Sequence, residues 1–381
     1  MNSRKRLAIV AIATSALFVS ASPAFAESIN GSGATFALPL IDACKADFSK
    51  DKGHTVNYPG GGSGKGRTDF ASNLVDFAGS DAPYSSGAPA NLVYAPIYAA
   101  PIAVMYKIGN DKPLYLSPAT IAGIFGGKIT KWNDPLIKAD NNREVKETIF
   151  KTDGKGQDVK DKNGKPIVLR EVTRKIRYTL PNKPIKVIYR SDSSGTNGNF
   201  TAALNGAAPE VWTKAGNNSF TTTFPGNIND VANLGRVVGA ASSTGVAQLA
   251  GKTPYSITYA EVNYAAANKL KIANLINPAG SSVAPDSTGV GAFLASASQD
   301  ANGFLTYDYA TKEKGAYPLG IVSYLLADTK YPDAAKAKAV KEFATYILST
   351  KCSKDVGGAL GFSVIDGELL KKSLAQVAKI G

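Results

Sequence analysis

Three short runs of Gly, Ser and Thr constrain this chain more than any other feature. Each follows an apolar segment and opens a helical one. They read Gly31-Ser32-Gly33-Ala34-Thr35-Phe36, Gly60-Gly61-Gly62-Ser63-Gly64-Lys65-Gly66 and Ser191-Asp192-Ser193-Ser194-Gly195-Thr196. A helix N-terminus leaves its first N–H groups unpaired, at the positive end of the helix dipole. Small residues let an anion approach that backbone, and hydroxyls add donors. Three such sites point to one oxyanion held from several sides.

The segments between the clusters alternate strand and helix. Leu38–Lys50 places Leu40, Ile41, Cys44 and Phe48 at helical spacing, and Gly53 ends the helix. His54–Tyr58 and Leu74–Asp81 read as strands. Tyr94–Tyr106 is a long apolar strand that carries the chain out of a first lobe. Ser117-Pro118 is a helix start, with Ser as cap and Pro at the first position. Ile185–Tyr189 is a strand that delivers Arg190, and the stretches Asn199–Leu204 and Ile228–Val238 read as helical. Tyr317–Leu326 resembles a second crossing strand, and Lys336–Ser349 is an amphipathic helix.

This order predicts an α/β chain of two lobes, each a mostly parallel sheet flanked by helices, joined by two crossing strands. Ligands in such sheets sit beyond the carboxyl ends of strands. The expected division is 27–101 for the first part of lobe I, 102–316 for lobe II and 317–381 for the return to lobe I. Within lobe II, residues 141–183 are rich in Lys, Asp, Asn and Gly, with turn signals at Asp153-Gly154 and Asn163-Gly164. They predict an exposed hairpin or excursion, a solvated decoration of the lobe.

Residues 1–26 read as a cleavable export signal: Arg4, Lys5 and Arg6, an apolar run, then Ala24-Phe25-Ala26. Cleavage after Ala26 leaves Glu27 first, with no Cys there to take a lipid anchor. The expectation is a protein of the periplasm or the medium. Removing the three leader charges from the formal +13 leaves +10. Export argues against a nucleic-acid partner, and most of the lysines read as solvated. Cys44 and Cys352 are the two cysteines. In an exported chain they are expected to pair, with two buried thiols as the alternative.

Nucleotide chemistry finds no support. The phosphate-binding loop of nucleotide enzymes needs G-x-x-x-x-G-K-[ST], but Pro59 and Gly66 occupy its two ends here. His54, the only histidine, is remote from the clusters, so a Ser-His-Asp triad and a zinc site are both disfavoured. No enzyme activity, cofactor or metal is expected.

Four strings resemble the periplasmic phosphate-binding proteins of bacterial phosphate ABC transporters. They are Ser32-Gly-Ala-Thr-Phe36, Val75-Asp-Phe-Ala-Gly-Ser-Asp-Ala-Pro83, Gly127-Lys-Ile-Thr-Lys-Trp-Asn-Asp134 and Arg190-Ser-Asp-Ser-Ser-Gly-Thr196. They occur in family order and span nearly the whole mature chain. The resemblance implies the type II two-lobed fold and high-affinity binding of inorganic phosphate. It also implies delivery to an ABC permease served by a partner ATPase, from a monomer. Carried over by position, the phosphate ligands are Thr35, Phe36 through its N–H, Ser63, Asp81, Arg190, Ser194, Gly195 and Thr196. Asp192 steers Arg190.

The residue types suit that role. Hydroxyls and helix-start N–H groups donate, and Arg190 offers a planar fork for two oxygens. A carboxylate such as Asp81 is out of place beside an anion unless the ligand carries a proton it can accept. Phosphate keeps a proton at neutral pH and sulfate does not, so Asp81 would admit one and repel the other. On its residues alone, Asp81 equally suits a helix cap or a structural partner of Arg190.

Overall fold

The computed structural model describes residues 26–109, 112–300 and 302–381, so the leader read at 1–26 lies, but for Ala26, outside the described residues. The chain begins with β1 (Ser28–Gly33), α1 (Leu38–Lys52), β2 (Thr55–Asn57), α2 (Ser63–Ala71) and β3 (Phe77–Ser80). Next come β4 (Leu92–Lys107), β5 (Tyr115–Leu116), α3 (Pro118–Phe125), α4 (Pro135–Asp140), β6 (Glu144–Phe150) and β7 (Val168–Lys175). The middle holds β8 (Lys186–Arg190), α5 (Gly195–Ala207), α6 (Phe220–Thr223), β9 (Val237–Ala240), α7 (Ser242–Lys252), β10 (Ser256–Glu261) and α8 (Asn263–Ala267). The short strands β11 (Lys271–Ile272), β12 (Asn274–Ile276) and β13 (Ser281–Val283) follow, then α9 (Ser287–Leu294), β14 (Ser298–Gln299) and β15 (Leu305–Thr306). β16 (Gly320–Asp328), α10 (Ala334–Ile347) and α11 (Gly367–Ala378) end it.

One sheet runs through both lobes in the order β2-β1-β3-β16-β4-β10-β8-β9. β1 is parallel to β2 and β3, and β8 is parallel to β9 and β10. β4 joins these parallel triplets. Residues 92–101 of β4 pair antiparallel with β16, and residues 102–107 pair with β10. Burial on both faces accounts for its nearly unbroken apolar run. The second connection becomes a strand only at Gly320, opposite Pro101, and runs back through the first lobe between β3 and β4. The Tyr317 hydroxyl donates to the Ile102 carbonyl at 2.9 Å where the lobes meet. β15 already lies on the first lobe, its Leu305 N–H donating to the Tyr324 hydroxyl at 3.0 Å.

Local structure follows residue chemistry in most places. α1 buries Leu40, Ile41, Cys44 and Phe48 on one face. The Ser117 side chain accepts the Thr120 N–H and starts α3. Two expectations fail. Leu74 is 71% exposed, and β3 starts only at Phe77. Ile228–Val238 is not helical: Asp230 caps a single turn at 231–233, and the β-branched pair Val237-Val238 enters β9.

Cys44 on α1 is disulfide-bonded to Cys352 in a turn at 350–357, Cα to Cα 5.7 Å across 308 residues of sequence. Trp132 and Trp212 are fully buried. His54 is buried away from the clusters, taking the Glu27 N–H at 3.0 Å and facing Glu342 at 3.3 Å.

The 141–183 stretch is a hairpin of β6 and β7 on the edge of a second sheet, β5-β12-β13-β6-β7. It is not a free decoration. Lys160 meets Asp366 and Lys165 meets Glu313, each at 2.6 Å, and Thr288 donates to Asp158. Asp158, Lys160, Lys165 and Glu171 thus have partners on the chain's last third.

Candidate functional site

β1, β2 and β3 run toward the middle of β4 from one side and β8, β9 and β10 from the other, so the loops that follow them, with the three clusters, face one junction. After β1 the chain turns at 35–37 into α1. Phe36 stacks on Tyr98, centroids 5.8 Å apart, which seats its ring in the core. Among the described residues no protein group accepts the Phe36 N–H. Gly60, Gly61 and Gly62 all have positive φ, from +79° to +114°, a run other residues rarely tolerate. This turn places Ser63 at the start of α2. Ser194 caps α5, its Oγ accepting the Thr196 N–H at 3.1 Å, and leaves the Gly195 N–H at the helix mouth.

The third cluster meets the second cluster and Asp81 across the cleft. The Gly64 N–H donates to the Ser193 carbonyl at 2.9 Å. The Asn199 amide donates to the Asp81 carbonyl at 2.6 Å. A Cβ on Gly195 would lie 2.7 Å from both the Asp81 Cβ and the Ser63 Oγ. Glycine is required for this approach, and the lobes are closed on one another.

Asp81 is fully buried at the end of β3. Its Oδ1 accepts from Ser323 at 2.6 Å and its Oδ2 from Ser63 at 3.2 Å. Burial pushes its carboxyl up to about 6, while the two serine bonds, Arg190 and Arg67 oppose the rise. Neutral solution leaves it ionised and able to accept a further hydrogen bond.

Arg190, at the end of β8, is 1% exposed. Its Nε donates to Asp192 Oδ1 at 2.8 Å and its Nη2 to Oδ2 at 2.5 Å, while Nη1 reaches Ser243 Oγ at 3.1 Å. This two-point pair fixes the guanidinium plane, and each terminal nitrogen keeps one hydrogen. Burial works against the charge, but the Asp192 carboxylate outweighs it and pushes the guanidinium up. The same pairing lowers Asp192 against its own desolvation.

The Thr196 Oγ1 is buried without a hydrogen-bond partner. A buried hydroxyl left unpaired costs on the order of 1–3 kcal/mol. Together with the Phe36 and Gly195 N–H groups and the Arg190 nitrogens, it forms a donor set with one carboxylate among it. Such a set fits an oxyanion that carries a proton.

The PBP superfamily domain is the family description whose model matches residues 19–351. The phosphate-binding protein PstS 3 of Mycobacterium tuberculosis (strain ATCC 25618 / H37Rv) is 33% identical over 308 residues, 76% of this chain and 70% of its own. The chain belongs to this family. The phosphate-binding protein PstS of Xylella fastidiosa is 30% identical over 321 residues, covering 83% of this chain and 76% of its own. Among solved structures, a high-affinity periplasmic phosphate-binding protein bound with phosphate superimposes with a TM-score of 0.65 at 22% identity. That match covers 91% of this chain and 93% of the other and carries the fold alone.

Three further buried groups stand at the same place, and the sequence motifs do not include them. Ser243, on α7, lies between the Arg190 fork and Thr35, with its Oγ 3.4 Å from the Thr35 hydroxyl. Glu261 ends β10, with its Oε1 3.1 Å from Ser243. Ser323 is on β16. Ser242-Ser243-Thr244-Gly245 repeats the pattern of the other clusters, and the helical reading of the segment before it concealed the strand that makes it a fourth.

Proposed function

We propose that this protein closes on one inorganic phosphate ion and delivers it to an ABC-type import permease. The reading rests above all on one observation: the Asp81 carboxyl is buried among hydroxyls, helix-start N–H groups and the Arg190 fork. A carboxylate there makes sense if the bound oxyanion brings a proton. In this reading Thr35, Ser63, Ser194 and Thr196 donate hydroxyls, Phe36 and Gly195 donate N–H groups, and Arg190 takes two oxygens. Asp192 holds Arg190 in plane, and Asp81 accepts the phosphate proton and turns sulfate away.

The lobes then divide at the middle of β4. Lobe I comprises 27–101 and the chain from about Asp286 to the end, because α9 and β15 pack on first-lobe strands; the return is earlier than 317. Closure is a hinge motion about the junction of Pro101, Ile102 and Tyr317. The protein works without a cofactor and without turnover, as an exported monomer in the periplasm. The energy of import comes from the transporter's ATPase.

Protein unfolded, washed free of bound ion, refolded and equilibrated with labelled phosphate tests this. We expect one equivalent retained after gel filtration and none by Arg190→Ala. Retention of label by the variant equal to that of the parent would rule the site out.

A further inference from the structure

Glu261 is a third carboxyl in the site, and the reading above gives it no task. It is wholly buried at the end of β10, opposite Ile102 of the crossing strand. Its Oε1 accepts from Ser243, and Ser243 in turn accepts from Arg190 Nη1. Its Oε2 is buried with no partner. An ionised carboxylate with one bare buried oxygen carries a heavy desolvation cost.

The charges around it do not offset that cost. β8 presents Arg190, whose charge is already shared with Asp192. Asp81 faces it from the end of β3 with the same sign. β4 presents the Tyr98 phenol and α8 the Tyr264 phenol, both pushed up and neutral. α7 presents Ser243. Lys107 and Lys186, on the strands beside β10, lie opposite Ser256 at its far end.

We propose that Glu261 is a positioning residue that serves as a neutral acid, so that phosphate capture is linked to a proton held on Glu261. Its proton sits on Oε2, and Oε1 anchors the Ser243 hydroxyl that braces Arg190. Asp81 and Asp192, both ionised, already offset the charges of Arg190 and Arg67. A third carboxylate beside a phosphate dianion would oppose binding directly. Burial pushes the Glu261 carboxyl up to about 8, so in ligand-free protein the proton leaves in mildly alkaline solution and phosphate must restore it.

The inference rests on the phosphate reading, and calorimetry between pH 8 and 9.5 tests it. Inorganic phosphate keeps one proton across that range, so the ligand itself does not change. For the parent protein we expect the phosphate Kd to rise about tenfold from pH 8 to 9.5, since each unit above a titrating group weakens proton-linked binding up to tenfold. Titrations in buffers of different ionisation enthalpy should count a fraction of a proton taken up per phosphate. Glu261→Gln should flatten the profile to less than about twofold and abolish the uptake. A parent profile as flat as the variant's, or no proton uptake at pH 9, would overturn the linkage. The proton count needs only the parent protein, should the variant not fold. No phosphate heat at pH 8 would instead overturn the phosphate reading, and this inference with it.

Discussion

Gly195 and Asp81, 114 positions apart in the chain, touch so closely that a Cβ on the glycine would sit 2.7 Å from the Cβ of the aspartate. One belongs to the mouth of α5 and the other to the end of β3. Their contact joins the two sides of the closed cleft.

Gly195→Ala should therefore block closure. We expect phosphate affinity to fall at least 100-fold, about 3 kcal/mol, with the thermal melt of the ligand-free protein little changed. Tight binding by this variant, measured by calorimetry, would mean that the contact is incidental.

Asn199 tests closure from another side. Its amide bonds the Asp81 carbonyl and the Gly195 carbonyl, at 2.6 and 2.9 Å. Asn199→Ala removes the cross-cleft bond and leaves the anion donors in place. Affinity should drop roughly tenfold, the worth of one or two net hydrogen bonds. Small-angle scattering of the phosphate-saturated variant should show a larger radius of gyration than the parent.

Asp81→Asn should lose discrimination rather than binding. An amide at this position offers donors to an oxyanion that carries no proton. Sulfate should then compete with phosphate in the variant, within about a hundredfold excess. Unchanged selectivity would show that Asp81 does not read the ligand proton.

Stability of the ligand-free protein should fall in alkali through Glu261. Its carboxyl titrates near 4.5 in an unfolded chain and near 8 when folded. The folded state thus holds the proton more tightly. That contribution is complete below pH 4.5 and is lost as the pH rises through 8, on the order of a few kcal/mol. The melting temperature of Glu261→Gln relative to the parent should rise between pH 5 and pH 9. A difference that stays constant across that range would contradict the burial argument.

The Cys44–Cys352 disulfide closes a loop spanning 308 residues of sequence. Replacing both cysteines with serine should lower unfolding free energy by about 2–5 kcal/mol, read as a lower urea midpoint. An unchanged midpoint would mean the unfolded chain is not constrained by this link.

Much of the site is legible in the sequence because glycine and hydroxyl residues cluster only where the backbone must bend tightly and donate. Arg190 and Asp192 are readable for a related reason: two residues apart at a strand end, they share a side of the loop. Glu261 and Ser323 give no such local signal. Each sits in an apolar strand, and only the pairing of β10 and β16 with β4 decides what their side chains face. Leu74 misleads in the opposite sense, an apolar residue left in water by a strand that starts at Phe77. The hairpin at 141–183 reads correctly as a hairpin, but its anchors at Asp366 and Glu313 lie far along the chain, beyond what periodicity can reveal.

The measurement that tests the account most directly is calorimetric titration of refolded, ion-free protein with phosphate in excess sulfate at neutral pH. The account predicts tight binding of one phosphate per chain, with an affinity that sulfate does not change. Binding that sulfate abolishes, or no heat at all, would contradict it.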